Sequence, residues 1–201
     1  SSLDGGLLMR HGQLLATVLL GAALLGATEA RAVFTITVEQ VGSNVVAAGS
    51  GSLFLSGLTF AGPDFGSAGT VPSEGDLVLA EGAGDTYTGF TGPTSFGPGA
   101  GLVFPDSNTG DFSGLYLPKG VLDVPQNYTS GDAFSASSTY DDTTIAALGF
   151  TDGVYTWTWS ADSMVLYVGV EPSPPTPEPS SLALLGAGLA GIGAIRRRRR
   201  R

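Results

Sequence analysis

Hydrophobic and polar positions alternate with a period of two over much of this chain. In Phe34-Thr35-Ile36-Thr37-Val38-Glu39 the apolar residues share one face and the polar ones the other, which is the pattern of a half-buried strand. Gly42-Ser43-Asn44 reads as a turn and Val45-Val46-Ala47-Ala48 as the start of a partner strand. A break is expected at Gly49-Ser50-Gly51, after which 52–55 and 58–60 continue the strand. Further strands are predicted at 76–80, 86–90, 101–104, 112–117, 133–140, 154–160 and 164–170. Turn clusters separate them at Gly62-Pro63-Asp64, Gly82-Ala83-Gly84-Asp85, Gly97-Pro98-Gly99 and Asp152-Gly153. One short helical turn is expected over 144–148, and no internal repeat stands out. Regular short strands without a long helical period predict an all-β domain over 33–170, an antiparallel β-sandwich or jelly-roll-like fold.

Both ends depart from this pattern. Met9 is followed by Arg10, an uncharged apolar run over 14–27, and the small residues Ala30 and Ala32 on either side of Arg31. That order is the order of a secretory signal peptide, with a helical apolar segment and a small-x-small cleavage site. Residues 1–32 therefore read as a leader that starts at Met9, with 1–8 as an upstream extension. Cleavage after Ala32 makes Val33 the new N terminus. The alternative is a buried N-terminal helix of the domain.

At the other end, 171–181 carries Pro172, Pro174, Pro175, Pro177 and Pro179, which exclude a helix or a central strand. This segment reads as an extended polyproline spacer of roughly 3 Å per residue. Residues 182–195 are uncharged and rich in Leu, Ala and Gly. As a helix they span about 21 Å, short of the ~30 Å hydrocarbon core of a bilayer. Ser180, Ser181 and the stem of Arg196 close part of that gap. Arg196, Arg197, Arg198, Arg199, Arg200 and Arg201 follow without interruption, and such a block stays on the cytoplasmic side. A transmembrane helix at 182–195 and a cytoplasmic tail at 196–201 are predicted. A soluble C-terminal helix is the alternative, which six consecutive arginines disfavour.

Pro177-Glu178-Pro179, followed by Ser180-Ser181-Leu182-Ala183-Leu184-Leu185-Gly186 and ending in arginines, closely resembles the PEP-CTERM sorting signal. The resemblance implies a temporary inner-membrane anchor. It is expected to be recognised and cut near Pro177, Glu178 and Pro179 by an exosortase-type membrane protease, which delivers the domain to the cell surface or extracellular matrix. The stretches 45–53 and 148–159 resemble an ectodomain type recurrent among PEP-CTERM proteins, in which a Leu-Gly-x-Thr turn leads into a Tyr-Thr-Trp-Thr-Trp strand. That likeness implies a β fold and no activity. PEP-CTERM systems accompany exopolysaccharide production, so the resemblance implies a structural role in a biofilm matrix, with exopolysaccharide as a partner.

Charge and composition narrow the chemistry. Between Val33 and Glu171 there are fifteen acidic residues against one basic residue, Lys119. Such a domain is repelled by nucleic acid and by anionic lipid heads, so nucleic-acid binding is set aside. The chain has no cysteine, and its one histidine, His11, lies in the leader. The mature domain thus lacks the usual neutral-pH base, a thiolate nucleophile and most transition-metal ligands. No catalytic residue, cofactor or enzymatic activity is assigned.

Three clusters remain as candidate sites. A strand places Tyr155, Trp157 and Trp159 on one face, where they either fill the core or, if exposed, form a platform for stacking sugar rings. With two tryptophans in the chain, core is the favoured reading. Tyr116 and Tyr128 are further aromatics that nothing in the sequence brings to them. Asp106-Ser107-Asn108-Thr109-Gly110-Asp111 spaces oxygen ligands somewhat like a calcium loop, making Asp106, Asn108 and Asp111 a weak calcium candidate. It lacks the EF-hand order, and Asp and Asn favour turns for backbone reasons alone. Asp141-Asp142 is a further concentration of charge. A carboxylate-dependent glycosidase is a distant alternative, because with this many acids some pair always falls at a suitable distance. Asn127-Tyr128-Thr129 matches a glycosylation sequon by chance in a chain whose sorting signal implies a bacterial host.

Overall fold

The computed structural model describes residues 33–172. The signal segment at 1–32, the sorting tripeptide, the apolar run at 182–195 and the arginine tail lie outside the described residues. Among the described residues no helix is long and apolar enough to cross a membrane.

The first predicted hairpin forms as β1 (Phe34–Val41) and β2 (Asn44–Ser52). Then come β3 (Thr59–Gly66), β4 (Gly69–Val71), β5 (Asp76–Ala80), β6 (Gly82–Thr88), β7 (Ser107–Gly110) and β8 (Ser113–Tyr116). The remaining strands are β9 (Val121–Pro125), β10 (Ala133–Tyr140), β11 (Gly153–Thr158) and β12 (Ser163–Val168). They make two six-stranded sheets, ordered β11-β12-β1-β2-β10-β7 and β3-β6-β9-β8-β5-β4. The domain is all-β, as its alternating pattern requires.

One pairing corrects the expectation of a purely antiparallel fold. Strands β1 and β12 run parallel, with Phe34 opposite Met164 and Val38 opposite Val168. The first and last strands each bring their own antiparallel hairpin partner, β2 and β11, and meet side by side in the middle of the sheet.

The two sheets share one core. Phe34, Ile36 and Val38 of β1 pack with Leu77 and Leu79 of β5, Leu115 of β8, and Leu122 and Val124 of β9. Phe134, Ala136 and Tyr140 of β10 and Met164, Leu166 and Val168 of β12 complete it. Phe34 stacks on Phe134 with ring centroids 4.3 Å apart. Each such side chain contributes about 1.5–3 kcal/mol when fully buried. The alternation of buried and accessible positions along β1, β10 and β12 is the structural image of the period-two pattern.

The second sheet is strongly curled. Strand β3 leads to β4 across Ser67 and Ala68 alone, although the two are opposite edges of that sheet. Six flat strands would set those edges about 24 Å apart, whereas three residue steps reach only about 10 Å. Likewise β5 passes to β6 across Glu81, although β8 and β9 lie between them. The curl accounts for the burial of both faces of β5, where all five residues are buried.

Several predicted boundaries are corrected. Strand β2 runs through the expected break at Gly49, because a Cβ there would lie 2.6 Å from Leu79 Cδ1 and 2.8 Å from Phe34. The glycine is a place of close packing between sheets. Likewise Gly84 sits within β6, where a side chain would drive into the Phe112 ring and lie 2.6 Å from the Val124 carbonyl oxygen. The expected turn at Gly62-Pro63-Asp64 lies inside β3, an edge strand whose register shifts between Phe60 and Gly62. An edge position tolerates proline because no partner needs its N–H. Residues 101–104 form no strand; Val103 makes a single bridge to Thr70.

One repeat, unanticipated from the sequence, is visible in the backbone. Short 3₁₀ turns at Pro72–Glu74 and Leu117–Lys119 each end on a left-handed glycine, Gly75 at φ +68° and Gly120 at φ +65°. They close the equivalent hairpins β4–β5 and β8–β9. Their prolines differ by one position within the turn, which hides the likeness. The expected helical turn is present, with Leu148 N–H donating to the Thr144 carbonyl at 3.0 Å and Phe150 N–H to that of Ile145 at 3.2 Å.

Candidate functional site

The aromatic trio lies on one face of β11 and its continuation, and that face points into the domain. Trp157 is buried, while Tyr155 and Trp159 are half-buried against the core. Each polar tip is taken up by a backbone carbonyl, for the two tryptophans on a crossing segment. Trp157 Nε1 donates to Pro93 at 2.9 Å and Trp159 Nε1 to Phe54 at 2.7 Å. The Tyr155 hydroxyl donates to Thr151 at 2.9 Å. Phe96 meets Tyr155 and Trp157 edge to face, with centroids 6.2 and 6.4 Å away. Because Trp157 is covered, the three rings form no open stacking platform. This is the core arrangement, in which amphipathic rings bury their bodies and satisfy their N–H and O–H groups.

Tyr116 and Tyr128 stand elsewhere. Lys119 Nζ lies 5.2 Å from the Tyr116 ring centroid. Tyr128 ties down the crossover after β2: its hydroxyl accepts from Leu53 N–H at 2.9 Å and donates to the Asp132 carbonyl at 2.6 Å.

The acidic segment 106–111 is largely strand, since Ser107–Gly110 is β7 and pairs with β10. The side chains of Asp106, Asn108 and Asp111 point to three different amides. Asp106 accepts from Asp141 N–H at 2.8 Å, Asn108 from Glu81 N–H at 3.2 Å and Asp111 from Ser135 N–H at 3.3 Å. Asp141 in turn accepts from Asn44 Nδ2 at 2.7 Å. Among the described residues no three His, Cys, Asp or Glu side chains gather as a metal-holding group. Asp106 and Asn108 take up amides just past the ends of β10 and β5, and Asp111 one within β10.

Two acids that the sequence reading did not single out are buried. Asp76 and Asp123 belong to the curled sheet, and each has an Oδ1 without a hydrogen-bond partner. Burial, with added repulsion from Asp64 and Asp76, pushes the Asp123 carboxyl up to about 7, against a weaker opposing pull from Lys119. Burial and Glu74 push Asp76 up to about 6. A signal for one was present: Asp123 interrupts the apolar run Val121-Leu122-Asp123-Val124, whereas Asp76 stands at the head of Leu77-Val78-Leu79 and reads as part of the turn before it.

The outer face of the first sheet is a ladder of small hydroxyl residues. By register, Thr109, Ser137, Ala48 and Thr37 form one row across β7, β10, β2 and β1, continued by Tyr167 on β12. Ser135, Ser50 and Thr35 form the next row. Between these rows lies a shallow groove of about 550 Å³, which Pro172 also lines.

Residues 175–200 match the family model described as the PEP-CTERM protein-sorting motif. No curated protein matches the chain, and no solved structure does. The tail thus carries the motif of an exported protein that is anchored in a membrane before exosortase, a membrane protease, processes it. The match covers the tail and leaves the two-sheet domain outside it.

Proposed function

We propose that the chain is the precursor of a non-enzymatic surface or matrix protein, a β-sandwich ectodomain delivered by its sorting tail. The signal segment at 1–32 exports it, the apolar run at 182–195 holds it in the inner membrane, and an exosortase cuts near Pro177, Glu178 and Pro179. The released domain is a structural part of an exopolysaccharide matrix. The match of residues 175–200 to the sorting motif carries this reading. Two features of the domain support a structural role. Several acids, Asp85, Asp106, Asp111 and Asp162 among them, accept hydrogen bonds from backbone amides. The aromatic rings that would grip a sugar serve the core instead.

The matrix role is tested by fractionating cells with and without exopolysaccharide synthesis. Retention of the cleaved domain in the matrix fraction, and its loss to the medium when the polysaccharide is missing, is the expected result. Equal partitioning in both strains would refute a matrix role and leave a freely secreted domain.

A further inference from the structure

We propose that the proline-rich spacer docks on the outer face of the first sheet, along the hydroxyl-lined groove that Pro172 enters. The path of the chain leads there. Strand β12 ends at Val168, and Gly169, at φ +64°, donates its N–H to the Val38 carbonyl at 2.9 Å. Val170 and Glu171 lie beside Glu39 and Gln40 at the end of β1. By Pro172 the chain has turned back over the sheet and lines the groove with Thr35, Thr37 and Ser50.

Length fits the floor. From β1 to β7 the groove crosses three strand spacings, about 14 Å in all. A polyproline segment at ~3.1 Å per residue covers that distance in about five residues. Residues 173–177 then lie on the sheet, and Glu178 and Pro179 emerge at the free edge of β7.

Chemistry fits as well. Proline has no N–H, so a segment with prolines at 172, 174, 175, 177 and 179 presents mainly carbonyl acceptors. The floor supplies donors: Thr37, Ser50, Thr109, Ser135 and Ser137 carry hydroxyls that donate to no other group among the described residues. Ala48 keeps its outward row low, and between the rows Gly49 and Ala136 turn their side-chain positions to the core and leave only backbone in the floor. Tyr167 stands beside Thr37 on the same face, on the β12 side of β1 where the spacer enters. The consequence for sorting rests on the function proposed above: the bond to be cut would be presented at one fixed edge of the domain.

The absence of cysteine makes the test clean. In the full chain in detergent micelles, Thr176→Cys is paired either with Thr109→Cys on β7 or with Thr156→Cys on β11. Both sheet positions are exposed and face outward. Thr156 is two strands from β1 and Thr109 is three, so a loose tether favours the pair with Thr156. Docking predicts that the Thr109 pair forms its disulfide at least about tenfold faster, through a higher effective concentration. Equal rates, or a faster Thr156 pair, would overturn the docking. Exosortase cleavage of the unmodified chain is scored separately: selective disulfide formation without any cleavage would overturn the sorting reading and leave the docking standing.

Discussion

The indole N–H of Trp157 donates to the carbonyl of Pro93 at 2.9 Å, joining β11 to a loop 64 residues away in the chain. That bond and the edge-to-face contact with Phe96 close one end of the core. Trp157→Ala is expected to cost about 3–5 kcal/mol through the lost area and the cavity. Trp157→Phe keeps part of the packing but leaves the Pro93 carbonyl without its donor, at about 1–3 kcal/mol. Urea unfolding monitored through Trp159 fluorescence measures both. Equal, near-zero losses would mean that the ring is not part of the core.

Gly84 has the Phe112 ring and the Val124 carbonyl against its Cα. Gly84→Ala should destabilise the curled sheet by about 1–3 kcal/mol, although alanine is an ordinary residue in strands. Gly101, where an added methyl group would meet nothing within 4 Å, serves as the control that should tolerate the same change.

Much of the fold was legible because the first sheet alternates cleanly. Strands such as β1, β5 and β10 begin at the predicted residue, and Phe34, Ile36 and Val38 face the core as their spacing requires. Legibility failed where glycine and proline serve packing instead of turning. Gly49, Gly84 and Pro63 all read as breaks and all lie within strands. Strand β7 was hidden because Ser107-Asn108-Thr109-Gly110 has no apolar face. It is an edge strand, held by its pairing with β10. The parallel contact of β1 with β12 joins residues more than a hundred positions apart, and no local pattern encodes it. The sorting tail was legible outright, because its order of proline, apolar run and arginine is a linear signal that needs no tertiary contact.

Asp76 and Asp123 make stability depend on pH. Both carboxyls hold their protons more tightly in the folded domain, at about 6 and about 7, than in the unfolded chain, where the ordinary value is 3.8. The folded state therefore binds more protons between pH 4 and 7, and stability falls as pH rises through that window. The loss between pH 5 and pH 8 should be on the order of a few kcal/mol. Asp123→Asn should raise the melting temperature at pH 8 and change it little at pH 5. A melting temperature that rises with pH in the unsubstituted domain would contradict this assignment.

Calcium should do little. The oxygens of Asp106, Asn108 and Asp111 are each engaged by a different backbone amide. Millimolar calcium or a chelator is expected to leave the melting temperature unchanged. A rise of several degrees with calcium would show that the three side chains rearrange to bind it.

The most direct test of delivery by the tail is the intact mass of the extracellular protein, from cells with and without an exosortase. A product that begins at about Val33 and ends near Pro179, present only in the exosortase strain, is the predicted result. A mass that still includes residues 182–201 in both strains would contradict processing and leave a permanently anchored protein.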